Sequence, residues 1–444
     1  MTTLKPPQHP DKNPILGDIP RVLEEGTDFY EALRNNFQDI ARFRYVMKEF
    51  YWVNHPDYIR EVLTSPNFER SLMVRKFMGA FLGAGVFTQE GKDHIQSRAL
   101  MLPSFHKKRI SQWADMFVEY TEAMLDGWQA GDQRDMSEEM MKLTLQVVST
   151  ALFGQDASDN AEEIKASLHL IQDSIDGTYP FYAALAPDWF PVMRFGKVKE
   201  AIDNFQNKTK ALIEARRQSG EDAGDLLSML LLAEDDKGKS MTTEQVVGQV
   251  ASLLFAGHET TANGLSWLWY ALARNPQVQD KLLAEIDTIL EGRRATFEDL
   301  PNLSYSRMVI DEMLRLYPPA WYTERTPRED VQFGEYLVPA GTPVVVTVIA
   351  THRDPRYFDN PLAFIPERFA PENQDSIQKF TYLPFGSGTH RCMGDNFALL
   401  EMQLIMITML QRFTYAIPNS FEIEPRPIVT LGIEGGLPVT VSAR

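Results

Sequence analysis

The sequence predicts a mainly α-helical protein with small β-sheets, and three observations carry that reading. Helix-period apolar spacing runs through most of residues 93–240. One patterned stretch, from Thr242 or Thr243 to Arg274, is about 31 residues, or roughly 46 Å of helix, enough to cross a domain. Period-two alternation is confined to short runs at residues 39–55, 331–333, 342–347, 428–431 and 438–441.

In chain order, residues 1–38 are Pro-rich and turn helical near 28–37. Ile40, Phe43 and Tyr45 alternate ahead of Phe50, Tyr51, Trp52 and Val53, which predicts a β-hairpin within 39–55. Residues 57–63 form a short helix, and 72–85 mix loop and helix. Helices are expected at 94–102, 110–128, 137–153, 160–175, 198–219 and 225–233, with a Pro and aromatic cluster at 179–195 and a turn at 234–239. Thr242 or Thr243 caps the long helix, Glu244 sits in its first turn, and Asn275-Pro276 ends it. Further helices follow at 278–291 and 304–316.

No linker, repeat or low-complexity tract divides the 444 residues, so 1–444 is expected to form a single domain. A net charge of −17 disfavours nucleic acid and anionic membrane surfaces as partners. The N-terminus has no apolar core, and no apolar run approaches the roughly 20 residues of a membrane span. No membrane anchor is therefore expected. The single cysteine excludes an intrachain disulfide and fits a cytoplasmic location.

That cysteine is the most informative residue. An isolated cysteine is ordinarily a small buried hydrophobe. Cys392 instead sits in Phe385-Gly386-Ser387-Gly388-Thr389-His390-Arg391-Cys392-Met393-Gly394, and a long apolar segment follows, 396–413. Basic neighbours and a helix N-terminus both favour a thiolate. One sulfur suits a haem axial ligand better than zinc or an iron–sulfur cluster, which take several.

The loop resembles the haem-binding signature of the cytochrome P450 family, Phe-x-x-Gly-x-(His or Arg)-x-Cys-x-Gly, at every specified position. The resemblance covers about residues 15–444. It implies that family's fold, with haem b between the long helix and the cysteine loop. Cys392 would ligate the iron, with Phe385 and Gly394 shaping the loop. Ala256-Gly257-His258-Glu259-Thr260-Thr261 is similar to the family's (Ala/Gly)-Gly-x-(Asp/Glu)-Thr-Thr motif. Thr260 and Glu259 would then manage protons during O₂ activation, and His258 would be a spacer. His94, Arg98, Arg325 and His390 would partner the haem propionates, although Arg325 read alone is equally a surface arginine. Glu312, Arg315 and Arg368 would form a buried ion network with a structural role.

By motif offset, Phe87, Ala256, Ala320, Val429 and Thr430 would line the substrate pocket, with Trp321, Leu72 and Phe181 as weaker candidates. For each aromatic, core packing is the competing reading. The resemblance implies a monooxygenase that inserts one oxygen atom of O₂ into a lipophilic substrate, a fatty acid or other long lipophile being favoured. No redox domain is fused, so electrons would come from a ferredoxin or flavodoxin with its NAD(P)H-dependent reductase. The basic run His106-Lys107-Lys108-Arg109 is either its dock or a solubilising cluster. Two alternatives are an H₂O₂-dependent peroxygenase on the same fold and a non-enzymatic haem-based sensor.

Overall fold

The long helix, Thr243–Arg274, organises the structure. Its start is fixed by a reciprocal cap: the Thr242 hydroxyl accepts the Gln245 N–H while the Gln245 side chain accepts the Thr242 N–H. Asn275 stops it and Pro276 opens the next helix, Pro276–Leu290. Apolar residues surround it on nearly every side, as suits a helix buried along its length. It packs along Met136–Phe153, and at Gly257 a Cβ would stand 3.0 Å from Val148. The computed structural model describes the chain apart from residues 1–3, 11–12, 155–162, 165, 168–169, 172–195, 221 and 236, and the side chains of 72–74, 77 and 196.

Most expected helices are present, with ends set by caps. Asp135 accepts the Ser137 and Glu138 N–H groups at the start of Met136–Phe153. Asp225 accepts the Ser228 N–H before Leu226–Leu232. The expected 110–128 helix is shorter, Ala114–Leu125, and is entered through a 3₁₀ turn at Ser111–Trp113. The expected 160–175 helix lies largely, and the 179–195 cluster wholly, outside the described residues.

The hairpin Ile40–Tyr45/Lys48–Val53 extends into a five-stranded sheet. Val344–Thr347 pairs with it in parallel, then Tyr322–Pro327 and Phe68–Arg70 add antiparallel strands. Phe68–Arg70 is too short to show alternation in sequence, yet it sets Arg70 opposite Arg325. The expected strand at 428–431 is displaced. Pro425–Pro427 and Leu431–Ile433 pair as a hairpin, and residues 428–430 form its turn. A second small sheet joins Gln133–Asp135, Pro438–Ala443 and Phe413–Ala416. Among the described residues no helix is long and apolar enough to cross a membrane.

Candidate functional site

A cavity of about 400 Å³ lies between the long helix and the cysteine loop. That is within the usual range for small-molecule pockets. The loop is closed by the Cys392 N–H, which donates to the Phe385 carbonyl at 2.9 Å. Gly388 has φ +71°, and a Cβ there would stand 2.1 Å from the Leu63 carbonyl, so only glycine fits against the Pro56–Thr64 helix. Gly394 caps the helix Asp395–Arg412 and turns its N–H toward the sulfur. Phe385, Cys392 and Gly394 all line the cavity.

The sulfur's accessible surface lies on this cavity, and the surrounding protein still desolvates it. Burial pushes its thiol up to about 11, against the pull of the Gly394 N–H, Arg98 and Arg391. The flanking bases therefore do not ionise the sulfur unaided, contrary to the simplest reading of the loop. Arg391 is committed to Asp395 at 2.7 Å, and Arg98 Nη1 donates to the Arg391 carbonyl at 2.7 Å. A thiolate here needs a further positive charge on the cavity side.

His94 and Arg98 lie one turn apart on Gly91–Met101, Arg325 on its strand and His390 in the cysteine loop, and all four line the cavity. Arg70 joins them and was not foreseen from sequence. Its Nε and Nη2 lie 3.2 and 3.1 Å from His390 Nδ1, and its Nη1 donates to the Phe87 carbonyl. The His94 and His390 rings stand 4.2 Å apart. Glu90 is the acid among these bases: it accepts the Arg70 N–H at 3.0 Å and lies 3.3 Å from His390 Nε2.

Burial, then the charges of His390 and Arg70, hold His94 down at about 4. Burial and the nearby Arg325 bring Arg70 to about 9, and burial brings Arg325 to about 10. For Glu90, burial alone would raise the carboxyl, but His390 and Arg70 hold it down at about 2. Burial also lowers His390; its Nδ1 faces the Arg70 donors and so accepts, which leaves the Nε2 proton for Glu90. The cluster holds more buried positive charge than Glu90 balances, which is costly unless an anion joins it. Carboxylates would be bound there by charge-assisted hydrogen bonds.

Across the cavity, Ala256, Gly257, Thr260 and Thr261 line the wall from the long helix, which continues through them unbroken. The Thr260 hydroxyl donates to the Ala256 carbonyl at 2.6 Å, so its lone pairs are left for the cavity. His258 points away, with Nε2 3.2 Å from the Met141 carbonyl. Phe87, Ala320 and Val429 complete an apolar wall.

Two expected site residues are placed elsewhere. Thr430 does not line the cavity, because the tight turn that presents Val429 folds Thr430 inward, to 6% exposure. Its hydroxyl donates to Glu259 and accepts from Asn263 at 2.9 Å. Glu259 is likewise off the cavity wall, held by that hydroxyl. Trp321 is core, bonding the Ile428 carbonyl at 3.3 Å, while Phe181 and the Leu72 side chain lie outside the described residues.

Sequence reading also missed what holds Phe87 in place. Gly85 and Gly248 meet backbone to backbone: a Cβ on Gly85 would stand 2.1 Å from the Gly248 carbonyl. Gln249 Oε1 then accepts the Val86 N–H at 2.8 Å.

Behind the cysteine loop, Glu312, Arg315 and Arg368 meet in one buried network. Arg315 binds Glu312 through two bonds of 2.7 and 2.8 Å, and donates to the His352, Pro361 and Ala363 carbonyls. Arg368 Nε lies 3.3 Å from Glu312. His352 ties this network to the loop, accepting the Leu383 N–H at 2.7 Å.

Among the described residues no group of three or more His, Cys, Asp or Glu could hold a bare metal ion. A metal at Cys392 would have to bring its other ligands with it. A flat macrocycle carrying two carboxylates meets that demand and the charge surplus together.

The pattern of the family described as Cytochrome P450 matches residues 7–433. The chain is 33% identical to a cyclooctat-9-en-7-ol 5-monooxygenase of Streptomyces melanosporofaciens, over 91% of this chain and 88% of that one. It is also 33% identical to a cyclooctatin synthase of the same organism, over 94% and 92%. A pentalenene oxygenase of Streptomyces avermitilis is 25% identical over 98% and 97%. With a family match over nearly its whole length and relatives aligned end to end, the chain belongs to the cytochrome P450 family, the haem b monooxygenases.

Proposed function

We propose that this monooxygenase oxidises a cyclic terpenoid skeleton and draws its electrons from a separate ferredoxin or flavodoxin. The substrate reading rests on the apolar wall of Phe87, Ala256, Ala320 and Val429. It also rests on relatives named for cyclooctatin and pentalenene that align nearly end to end with this chain. It replaces the fatty acid favoured from sequence motifs alone. The single observation that carries the chemistry is the Cys392 sulfur sharing one cavity with the cationic cluster.

Haem b, when bound, supplies the oxidant that puts one oxygen of O₂ into the substrate while the other leaves as water. Cys392 would hold its iron, and His94, Arg70, Arg325 and His390 its propionates, with Glu90 keeping Arg70 and His390 in place. Arg98 serves the sulfur side, where its charge favours the thiolate. Thr260 Oγ1 orders water at the cavity face and passes a proton by turning its O–H away from the Ala256 carbonyl. Glu259 keeps a carboxyl one residue away, where it accepts the Thr430 O–H; once that bond opens it would take up a proton from solvent and hand it on toward Thr260. The apolar wall excludes bulk water and orients the carbon to be oxidised.

Turnover of cyclic terpene hydrocarbons with NAD(P)H and a surrogate reductase–ferredoxin pair tests this, using isotopically heavy O₂. One labelled oxygen per product is expected. Thr260→Ala should lower product formed per NAD(P)H by about a hundredfold, with reducing equivalents diverted to H₂O₂. Turnover driven better by H₂O₂ than by the partner proteins, or coupling unchanged in Thr260→Ala, would overturn the proposal.

Charge favours one docking face for the partner. His106, Lys107, Lys108 and Arg109 are exposed on a short helix, Lys107–Ile110, which buried Ile110 anchors. The preceding residue, Phe105, lines the cavity, and a Cβ at Gly394 would stand 3.9 Å from it. This basic patch on an acidic protein lies beside the sulfur and suits an acidic carrier. Lys107→Glu with Lys108→Glu should slow the first electron transfer about tenfold at low salt and leave substrate binding unchanged. Equal rates across a salt series would remove the patch from the docking face.

A further inference from the structure

Phe87 stands at the apex of a turn whose backbone is fixed on both sides. The Thr88 and Gln89 N–H groups both donate to the Gly85 carbonyl at 3.0 Å. The Thr88 hydroxyl donates to the Gly83 carbonyl at 2.6 Å. With Gly85 seated against Gly248 and the Val86 N–H taken by Gln249, the freedom left at the tip is that of the Phe87 ring. Two groups bear on that ring. Phe255, 3% exposed on the long helix, meets it edge-on with centroids 6.5 Å apart. The Arg70 guanidinium covers it, with Cζ 4.9 Å from the ring centroid. Arg70 also donates through Nη1 to the Phe87 carbonyl and faces His390 Nδ1 through Nε and Nη2. One planar cation therefore binds the ring and the backbone of the tip, and also reaches the cysteine loop. Its side chain is 11% exposed, and a cation over a ring is held most firmly where water is excluded. An ammonium could not stack and fork in this way. Arg70 and Phe87 both line the cavity, so their contact is part of its wall.

We propose that Arg70 determines substrate specificity by locking the Phe87 ring, a role separate from its place among the propionate partners. Arg70 acts here through Phe87, as a positioning residue. A locked ring gives the cavity one shape. That shape suits a rigid cyclic skeleton that fits without moving the ring, and it rejects a ligand that needs the ring turned aside. Releasing the lock widens the range of ligands accepted and leaves the Gly85–Gly248 anchor intact. Pocket shape and cofactor seating both hang on this one side chain. A change at Arg70 therefore alters both, whereas a change at Phe87 alters shape alone.

The role assigned to Arg70 rests on haem bound through Cys392, and the experiment distinguishes failure of one from failure of the other. Haem-loaded enzyme is titrated with N-methylimidazole and with the bulky N-naphthylimidazole, and ligation of the iron is read from the Soret shift. The ratio of the two dissociation constants reports tolerance of bulk and cancels effects common to both ligands, such as a shifted haem. Arg70→Lys keeps the charge and should move the ratio about fivefold in favour of the naphthyl ligand, a coupling typical of residues in contact. Phe87→Ala should move it the same way, and Arg70→Lys added to Phe87→Ala should move it no further. Pentafluorophenylalanine in place of Phe87 keeps nearly the shape of the ring but makes its face electron-poor, so a shift of about threefold is expected with Arg70 intact. That protein decides the matter if Arg70→Lys fails to load haem. Arg70→Lys weakening both ligands alike, or shifting the ratio equally with and without the Phe87 ring, overturns the lock. So does an unchanged ratio with the fluorinated ring. Absence of a Soret shift with either ligand overturns the haem reading instead.

Discussion

Cys392→Ser is expected to keep the fold and lose the chemistry. The bond that closes the loop runs from the Cys392 backbone N–H to the Phe385 carbonyl, so it does not depend on the side chain. The enclosure that lifts the thiol to about 11 leaves an alcohol no route to ionisation. Without a thiolate, the electron donation that favours O–O cleavage is gone. Monooxygenase turnover should fall by three orders of magnitude or more, on the order of 4 kcal/mol of lost transition-state stabilisation. The reduced CO adduct should lose its thiolate-type red-shifted Soret band, while thermal melting of the apoprotein stays close to wild type. A variant that retains the band and the turnover would rule Cys392 out as the ligand.

Arg315→Leu is expected to be the most destabilising single change in the described structure. Glu312 and Arg315 are both 0% exposed. Removing the guanidinium leaves a buried carboxylate with only Arg368 and the Ile365 N–H, and strips a donor from three carbonyl oxygens. Breaking a buried pair from one side costs about 3–5 kcal/mol, a large part of the roughly 5–15 kcal/mol that holds a domain together. Arg315→Lys should recover little, because an ammonium cannot reproduce the two-bond fork. Glu312→Leu combined with Arg315→Leu should cost less than the sum of the single changes, since no charge is then stranded. Urea unfolding midpoints decide this, and haem content should fall in parallel through His352 and Leu383. A wild-type midpoint for Arg315→Leu would sink the argument.

Most helices, the cysteine loop and the four cations His94, Arg98, Arg325 and His390 that line the cavity were legible in the sequence, because periodicity and motif spacing are local. The sequence did not show Arg70 or Glu90. Arg70 reaches His390 only because a three-residue strand pairs with Tyr322–Pro327, a contact between segments about 250 residues apart. For Thr430, motif offset located the turn but not which of its two neighbouring residues would face the cavity.

The contact between Gly85 and Gly248 bears on how such an enzyme changes substrates over evolutionary time. No side chain fits at either position, so the anchor of the Phe87 segment is closed to mutation. Phe87, two residues past that anchor, packs only partly against the core. Mutational tolerance is thereby divided within three residues. New specificities can be sampled at the tip while the mounting stays fixed, and a directed-evolution library is best spent at position 87 and withheld from 85 and 248.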